Sequence, residues 1–481
     1  MTVLFGLSMP VKRAVLILSV ILFVPVSGPT TAQTLKAFPS AEGYGAYAKG
    51  GRGGRVIEVT NRNDDGPGSF RAAVMATGPR IVVFRVSGTI VLQSQLYPNK
   101  DNSYLTIAGQ TTPGDGIQLK GAAFGLRYGI HDVIVRHLRV RPGPLPQDTS
   151  YDGFVVGGNI TSDVTCNIIV DHCSVYWGQD EGIAISNNAE DVTFQWCISV
   201  GLKHDLPGHK TEQSKTALFS AKLGYGQTIR RVTLHHSYLA NSEARNPRTS
   251  ADGPFHFINN LIYNWAHYAG DMRNRGNGVK ANWIGNYFKA GPLKKNNNYE
   301  ININPEGYAH ADNFLYVEDN LGPHRRNSSQ DEWEIVGYNY RNPAPKQYQR
   351  SAPWPDSPVP VTVDAAKDVP SVVLANVGAT APVRDELDQR TINDYYQNTG
   401  TVKTSTAIID SDWPALRSGT APTDTDHDGM PDDWEVQHGL DPGDAGDGAR
   451  TAGNGCTNVE NYLNGLAGDN ISPGGPQRAS R

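Results

Sequence analysis

The chain has 481 residues, of which 51 are Gly and 31 are Pro, so about one residue in six interrupts regular structure and a helical bundle is excluded. A net charge of -5, from 43 basic and 48 acidic residues, gives no global field for a nucleic acid partner. The 38% hydrophobic content suffices for a core, and the glycines have no collagen period.

Charge is unevenly placed. Gly201–Ser250 carries eight Lys or Arg against three acidic residues, whereas Ala421–Asn470 carries eleven acidic residues against Arg450 alone. The first stretch suits an anion and the second a cation.

In chain order, Lys12 and Arg13 precede the apolar run Ala14–Val24, then Pro25 and the small residues Thr30, Thr31 and Ala32. This reads as a secretory signal over residues 1–32, too short for a bilayer span of about 20 residues. The mature chain is expected to be exported, extracellular or periplasmic in a Gram-negative host, with no membrane partner. Next comes KGGRGGR at Lys49–Arg55, which lacks the spacing of a phosphate or dinucleotide site and reads as a turn.

From Val133 onward, short β-branched and aromatic segments recur. Aligned on Val135, Val170, Phe194, Leu234, Phe257 and Ala281 they are spaced by 35, 24, 40, 23 and 24 residues. The base period is one solenoid rung, and the longer intervals add loops. An antiparallel sandwich would explain the strands but not the constant period. Polar pairs follow the first apolar triplet (Arg136-His137, Asp171-His172, His235-His236), and the period stacks Cys173 over Cys197 and places Asn259 and Asn260 in a turn whose amides bond along the stack. Four cysteines are too few for a disulfide framework, and no disulfide is assigned. The fold class is therefore all-β, a right-handed parallel β-helix over 33–325. A Pro-rich wrapping or linker region follows over 326–420, with a short polar helix at Val383–Asn398.

The acidic module, 421–468, contains DTDHDGMPDDWE. Asp424, Asp426, Asp428, Asp432 and Glu435 fall at positions 1, 3, 5, 9 and 12, with Gly429 at the sharp turn, a spacing that curls carboxylates around calcium. No entering helix can precede it, so it reads as a structural calcium loop. Asp444, Asp447, Asn458 and Glu460 form a candidate second loop, and 469–481 reads as a disordered tail.

Within the repeat, VDHCSVYWGQDEG (Val170–Gly182) and NSEARNPR (Asn241–Arg248), together with FRVSGTI, LTIAGQT and IVRHLRVRPG, resemble the pectate lyases of polysaccharide lyase family 1, in the subgroup with a calcium loop near the C-terminus. The resemblance runs from about Phe38 to Asn464. It implies calcium-dependent β-elimination of polygalacturonate, with Asp152, Asp180 and Glu181 holding the catalytic ion and Arg245 as the base. Lys215 and Arg248 would then bind the substrate carboxylate, with Asp171 in supporting hydrogen bonds. Such a base needs its pKa depressed by calcium and neighbouring cations. Ile185 stands where the family often has a further aspartate and Ser250 where it often has a further arginine, with Lys203, His204, His209 or Lys210 as candidates to compensate. The rival readings are a polygalacturonase-type hydrolase, for which His209 lacks a paired-aspartate motif, and a non-catalytic glycan-binding β-helix. A monomer is expected.

Overall fold

A chain whose strands return at a fixed period can bury its apolar rows only by stacking rung on rung, and it does so. The computed structural model describes residues 1–3, 6, 35–144, 151–158, 163–203, 205, 214–221, 228–273, 279–304 and 314–469. Leu35–Arg481 forms one compact unit distinct from Met1–Thr34, most of which, like 470–481, lies outside the described residues. Among the described residues no helix is long and apolar enough to cross a membrane.

Each rung visits three parallel sheets. Thr165–Asp171, Ser174–Tyr176 and Glu181–Ser186 make one rung, and Ala189–Gln195 opens the next. The sheets have ten, eight and nine strands, parallel throughout except for the terminal pair Val336–Tyr338 with Asn342–Pro343. The last rung thus runs past Arg325, the boundary expected for the β-helix.

Register follows the sequence period closely. Val170 lies between Val135 and Phe194, Phe194 opposite Leu234, and Leu234 opposite Phe257. The expected partner Ala281 is corrected: Phe257 faces Trp283, and Ala281 faces Phe255, a slip of two residues. The cause is packing, because the Trp283 indole lies 4.6 Å from the Phe257 ring and fills that core row. Cys173 and Cys197 are buried free thiols in the core.

The corners are built from left-handed residues. His137, His172, Trp196 and His236 have φ of 54°, 49°, 55° and 48°, and their rings stack at 5.1, 5.9 and 4.4 Å. Asn260, Asn286 and Asn320 form an amide ladder with bonds of 3.0 and 2.8 Å. Asp171, fully buried, accepts from Arg136 Nε at 2.7 Å and Gln195 Nε2 at 2.8 Å and pairs with His172 Nδ1 at 2.7 Å. Although buried, its carboxyl is held far below the usual carboxylate range by the charges of His172 and Arg136. Its supporting role is therefore to the ten-strand sheet.

The first rungs of the solenoid are covered and one lateral face is wrapped. Helix Phe70–Met75, capped by Ser69, puts Phe70, Ala73 and Val74 into the core at the first rungs. The Lys49–Arg55 segment is a packed turn: a Cβ on Gly51 would lie 1.9 Å from the Arg80 carbonyl oxygen. The Pro-rich region wraps the molecule, for helices Val369–Asn376 and Glu386–Gln397 pack on Tyr176, Ile198, Tyr238 and Tyr263 of the eight-strand sheet. Arg141 pins this wrap through Asp385 at 2.5 Å and Asp388 at 2.8 Å, all three buried.

Candidate active site

The candidate site lies on the nine-strand sheet. Phe154–Gly157, Glu181–Ser186, Lys215–Ser220, Arg248–Ser250 and Gly270–Arg273 are successive neighbours in it. Glu181 lies opposite Lys215, and Lys215 opposite Ala244, so residues some thirty apart in sequence share one row. Asp152 reaches the row from the turn before Phe154, its Oδ1 accepting from Glu181 N at 3.0 Å. Close backbone approach shapes this corner: a Cβ on Gly178 would lie 2.0 Å from the Glu181 carbonyl oxygen.

The structure brings together Asp152, Asp180, Glu181, Lys215 and Arg245. One carboxylate oxygen from each of Asp152, Asp180 and Glu181 lies within 4.8 Å of the others. Burial, then the negative charge of Glu181, pushes the Asp152 carboxyl well above the usual range. Lys215 Nζ pairs with Asp180 and lies 3.8 Å from Glu181 Oε1, while Arg245 Nη1 donates to that same Glu181 oxygen. Three carboxylates against two cations leave one excess negative charge, a donor set that fits a hard divalent cation.

Arg245 is held rigidly. It takes φ 59°, its carbonyl accepts from Thr216 Oγ1 at 3.0 Å, and the next residue, Asn246, accepts from Thr216 Oγ1 and Ser242 Oγ, each at 2.6 Å. Burial, the largest single influence, would lower the Arg245 pKa, but Glu181, Tyr268 and Asp180 together outweigh it and the net shift is upward. The depressed value expected of a base is thus not found while Glu181, the largest of the opposing influences, faces the guanidinium.

Arg248 lies apart from that cluster, its Nε donating to Asp271 at 2.5 Å and its Nη2 to the Tyr268 hydroxyl. Asp271 also accepts from Arg273 Nε at 3.1 Å. No role was read from the sequence for Thr216, Tyr268 and Asp271, whose contacts cross rungs, nor for Asn246, which lies within the NSEARNPR motif. Ile185 is fully buried in the solenoid core, so its position presents no side chain to the acidic cluster. Ser250 sits on the Arg248 strand, 2% exposed. Lys203 lies in a short ladder with Lys403–Thr404, and His204, His209 and Lys210 lie outside the described residues.

In the tail, Asp424, Asp426 and Asp428 converge, and Asp428 meets Glu435 and Asp447. Asp432 is corrected: its carboxylate accepts from Thr425 N at 2.8 Å and Thr425 Oγ1 at 2.7 Å, bracing the loop at the start of helix Asp432–His438 instead of joining the cluster.

No protein-family model matches the chain. The chain is 37% identical over 431 residues to the probable pectate lyase C of Emericella nidulans, covering 87% of this chain and 89% of that one. It is 33% identical over 467 residues to the probable pectate lyase C of Aspergillus terreus, covering 93% and 98%. Among solved structures, the pectate lyase of Bacillus sp. N165 in complex with trigalacturonate is 14% identical, covers 70% of this chain and 98% of that one, and superposes with a TM-score of 0.47.

Proposed function

This chain belongs to the pectate lyases and is a polysaccharide lyase, and from that premise we propose that it cleaves (1->4)-alpha-D-galacturonan by calcium-dependent β-elimination, releasing 4,5-unsaturated oligogalacturonates. The observation that carries the proposal is the row of Asp152, Asp180 and Glu181 interleaved with Lys215 and Arg245 on neighbouring rungs. We further propose an exported monomer whose signal segment is removed, acting on de-esterified pectin.

The chemistry begins with a barely acidic proton. The C5 hydrogen of a uronate lies beside a carboxylate that resists further negative charge. Asp152, Asp180 and Glu181 would hold a calcium ion, which when bound would supply positive charge beside that carboxylate and so favour the enolate-like charge. Lys215, at the edge of the cluster, binds the same substrate carboxylate. Arg245 accepts the C5 proton, and the electron pair of the C5–H bond forms the C4=C5 double bond. The C4–O4 bond breaks, and the leaving oxygen takes a proton from solvent. Withdrawing Glu181 from Arg245 removes the largest of the influences that raise the guanidinium pKa, and burial acts in the lowering direction that a base requires.

The test follows the absorbance of the unsaturated product from polygalacturonate with and without chelator. The expected result is calcium-dependent product that falls at least about 10³-fold in Arg245→Ala while the fold is retained. New reducing ends without unsaturation would refute the elimination in favour of a hydrolase.

A further inference from the structure

The acidic stretch near the C-terminus closes through a residue that its twelve-residue pattern does not contain. Asp428, Glu435 and Asp447 present carboxylate oxygens within 4.8 Å of one another, and Asp428 is shared with the group of Asp424 and Asp426. Six of these oxygens are buried without any hydrogen-bond partner: Asp424 Oδ1, Asp426 Oδ2, Asp428 Oδ2, both oxygens of Glu435, and Asp447 Oδ1. Glu435 is 0% exposed and Asp447 1%. Buried carboxylate oxygens left unpaired are strongly unfavourable unless a cation takes them up.

The second loop is built to deliver Asp447. Its Oδ2 accepts from Asp441 N at 3.0 Å, and its carbonyl accepts from Asn458 Nδ2 at 2.9 Å, which leaves Oδ1 aimed into the cluster. Gly448 permits the approach, because a Cβ there would lie 2.3 Å from Asp428 Oδ2. Of the five carboxylates, Asp424 alone makes an ion pair among the described residues, with Arg85 at 3.8 Å.

Around this cluster the 430–469 segment meets the first rungs of the solenoid. Met430, Val459 and Leu463 pack on Ile81, Val83 and Ala108 of the first rungs. Arg52 pairs with Glu460 at 2.8 Å, and Arg136 with Asp469 at 3.0 Å.

We propose that Asp424, Asp426, Asp428, Glu435 and Asp447 form one calcium site built from two loops, and that filling it clamps the C-terminal segment onto the first rungs of the solenoid. The six unpartnered oxygens of these five carboxylates suit calcium, which takes six to eight. The clamp stands independently of the lyase reading, since it requires no substrate.

The test uses the intact chain in a Glu181→Gln background, so that the active-site cluster contributes little, with calcium titrated by calorimetry and thermal unfolding followed with and without chelator. Asp447→Asn is expected to weaken calcium binding at least tenfold and to shrink the calcium-induced rise in Tm. Its calcium-free Tm should hold or rise, because one of five clustered charges is gone. Calcium should likewise slow proteolysis after residue 420 in the parent and much less in Asp447→Asn. Asp432→Asn should leave most of the affinity. Unchanged affinity in Asp447→Asn would overturn the proposal. So would a fall in calcium-free Tm with the calcium increment intact, or failure of this variant to fold without calcium, because either outcome makes Asp447 a structural residue and no ligand.

Discussion

Glu181 is the hub of the active-site cluster, and replacing it with Gln tests the electrostatic argument most directly. Its Oε1 receives Arg245 and stands 3.8 Å from the Lys215 ammonium. The substitution keeps the shape and one acceptor oxygen but removes a unit of charge, taking the cluster from one excess negative charge to none. A unit charge pair about 4 Å apart in a partly buried site is worth about 4 kcal/mol, so a divalent ion stands to lose at most about 8. Retained coordination by the amide oxygen, and solvent, reduce this to about 3 kcal/mol, or on the order of 100-fold in calcium affinity. The assay is the calcium dependence of unsaturated-product formation. The half-saturating calcium concentration should rise about 100-fold, and excess calcium should recover part of the rate. Stability should change little, since the amide oxygen of Gln can still accept from Arg245 and Lys215 keeps Asp180. An unchanged calcium dependence would refute the assignment of Glu181 to the ion.

Two further outcomes concern the scaffold. His256, packed on Tyr44 with ring centroids 4.8 Å apart, has its pKa lowered by burial from 6.5 to about 4. Between those values the unfolded chain binds a proton that the folded chain does not, so this contribution is complete above about pH 6.5 and is lost as pH falls, about 2 kcal/mol between pH 7 and 5. Denaturant titrations in excess calcium should show that loss, reduced by this share in His256→Gln; the same slope in both proteins would contradict it. Phe194 is fully buried and meets Phe154 edge-on at 5.6 Å, so Phe194→Ala should cost about 3–5 kcal/mol in urea unfolding, and a loss below 1 kcal/mol would mean that the core row is not packed as described.

The rung period was legible because each rung buries the same apolar row, which imprints itself on the sequence. Val135, Val170, Phe194, Leu234 and Phe257 are therefore in register, and alignment fails only at Trp283, where a larger ring occupies the row two residues on. The acidic cluster was legible for a different reason, namely that Asp180 and Glu181 are adjacent and belong to a recognisable motif. Asp447 was read into a separate second loop, and its meeting with Asp428 and Glu435 was not legible, because that approach depends on Gly448 and linear spacing cannot say which loop folds back. Asp432 misled because a first-turn carboxylate serves a loop brace as well as an ion. The grip of Asp271 and Tyr268 on Arg248 was hidden for a similar reason, since contacts between rungs are set by register and not by neighbours in the chain.

The two acidic clusters differ in the property that decides what each can do. At the active site every carboxylate has a partner at hand: Asp180 takes Lys215, Glu181 takes Arg245, and Asp152 accepts from the Glu181 backbone. There the same cations become available to an anionic substrate once the carboxylates are engaged elsewhere. Among the described residues the tail sets only Arg85, 3.8 Å from Asp424, against five carboxylates. The Asp428 carboxyl is pushed up to about 7 and the Glu435 carboxyl to about 8, in each case by burial first and then by neighbouring carboxylates. A cluster rich in cations suits an anionic substrate, and one nearly without them suits a tightly held ion. This difference in charge pairing separates the proposed lyase site on the middle rungs from the proposed clamp against the first rungs.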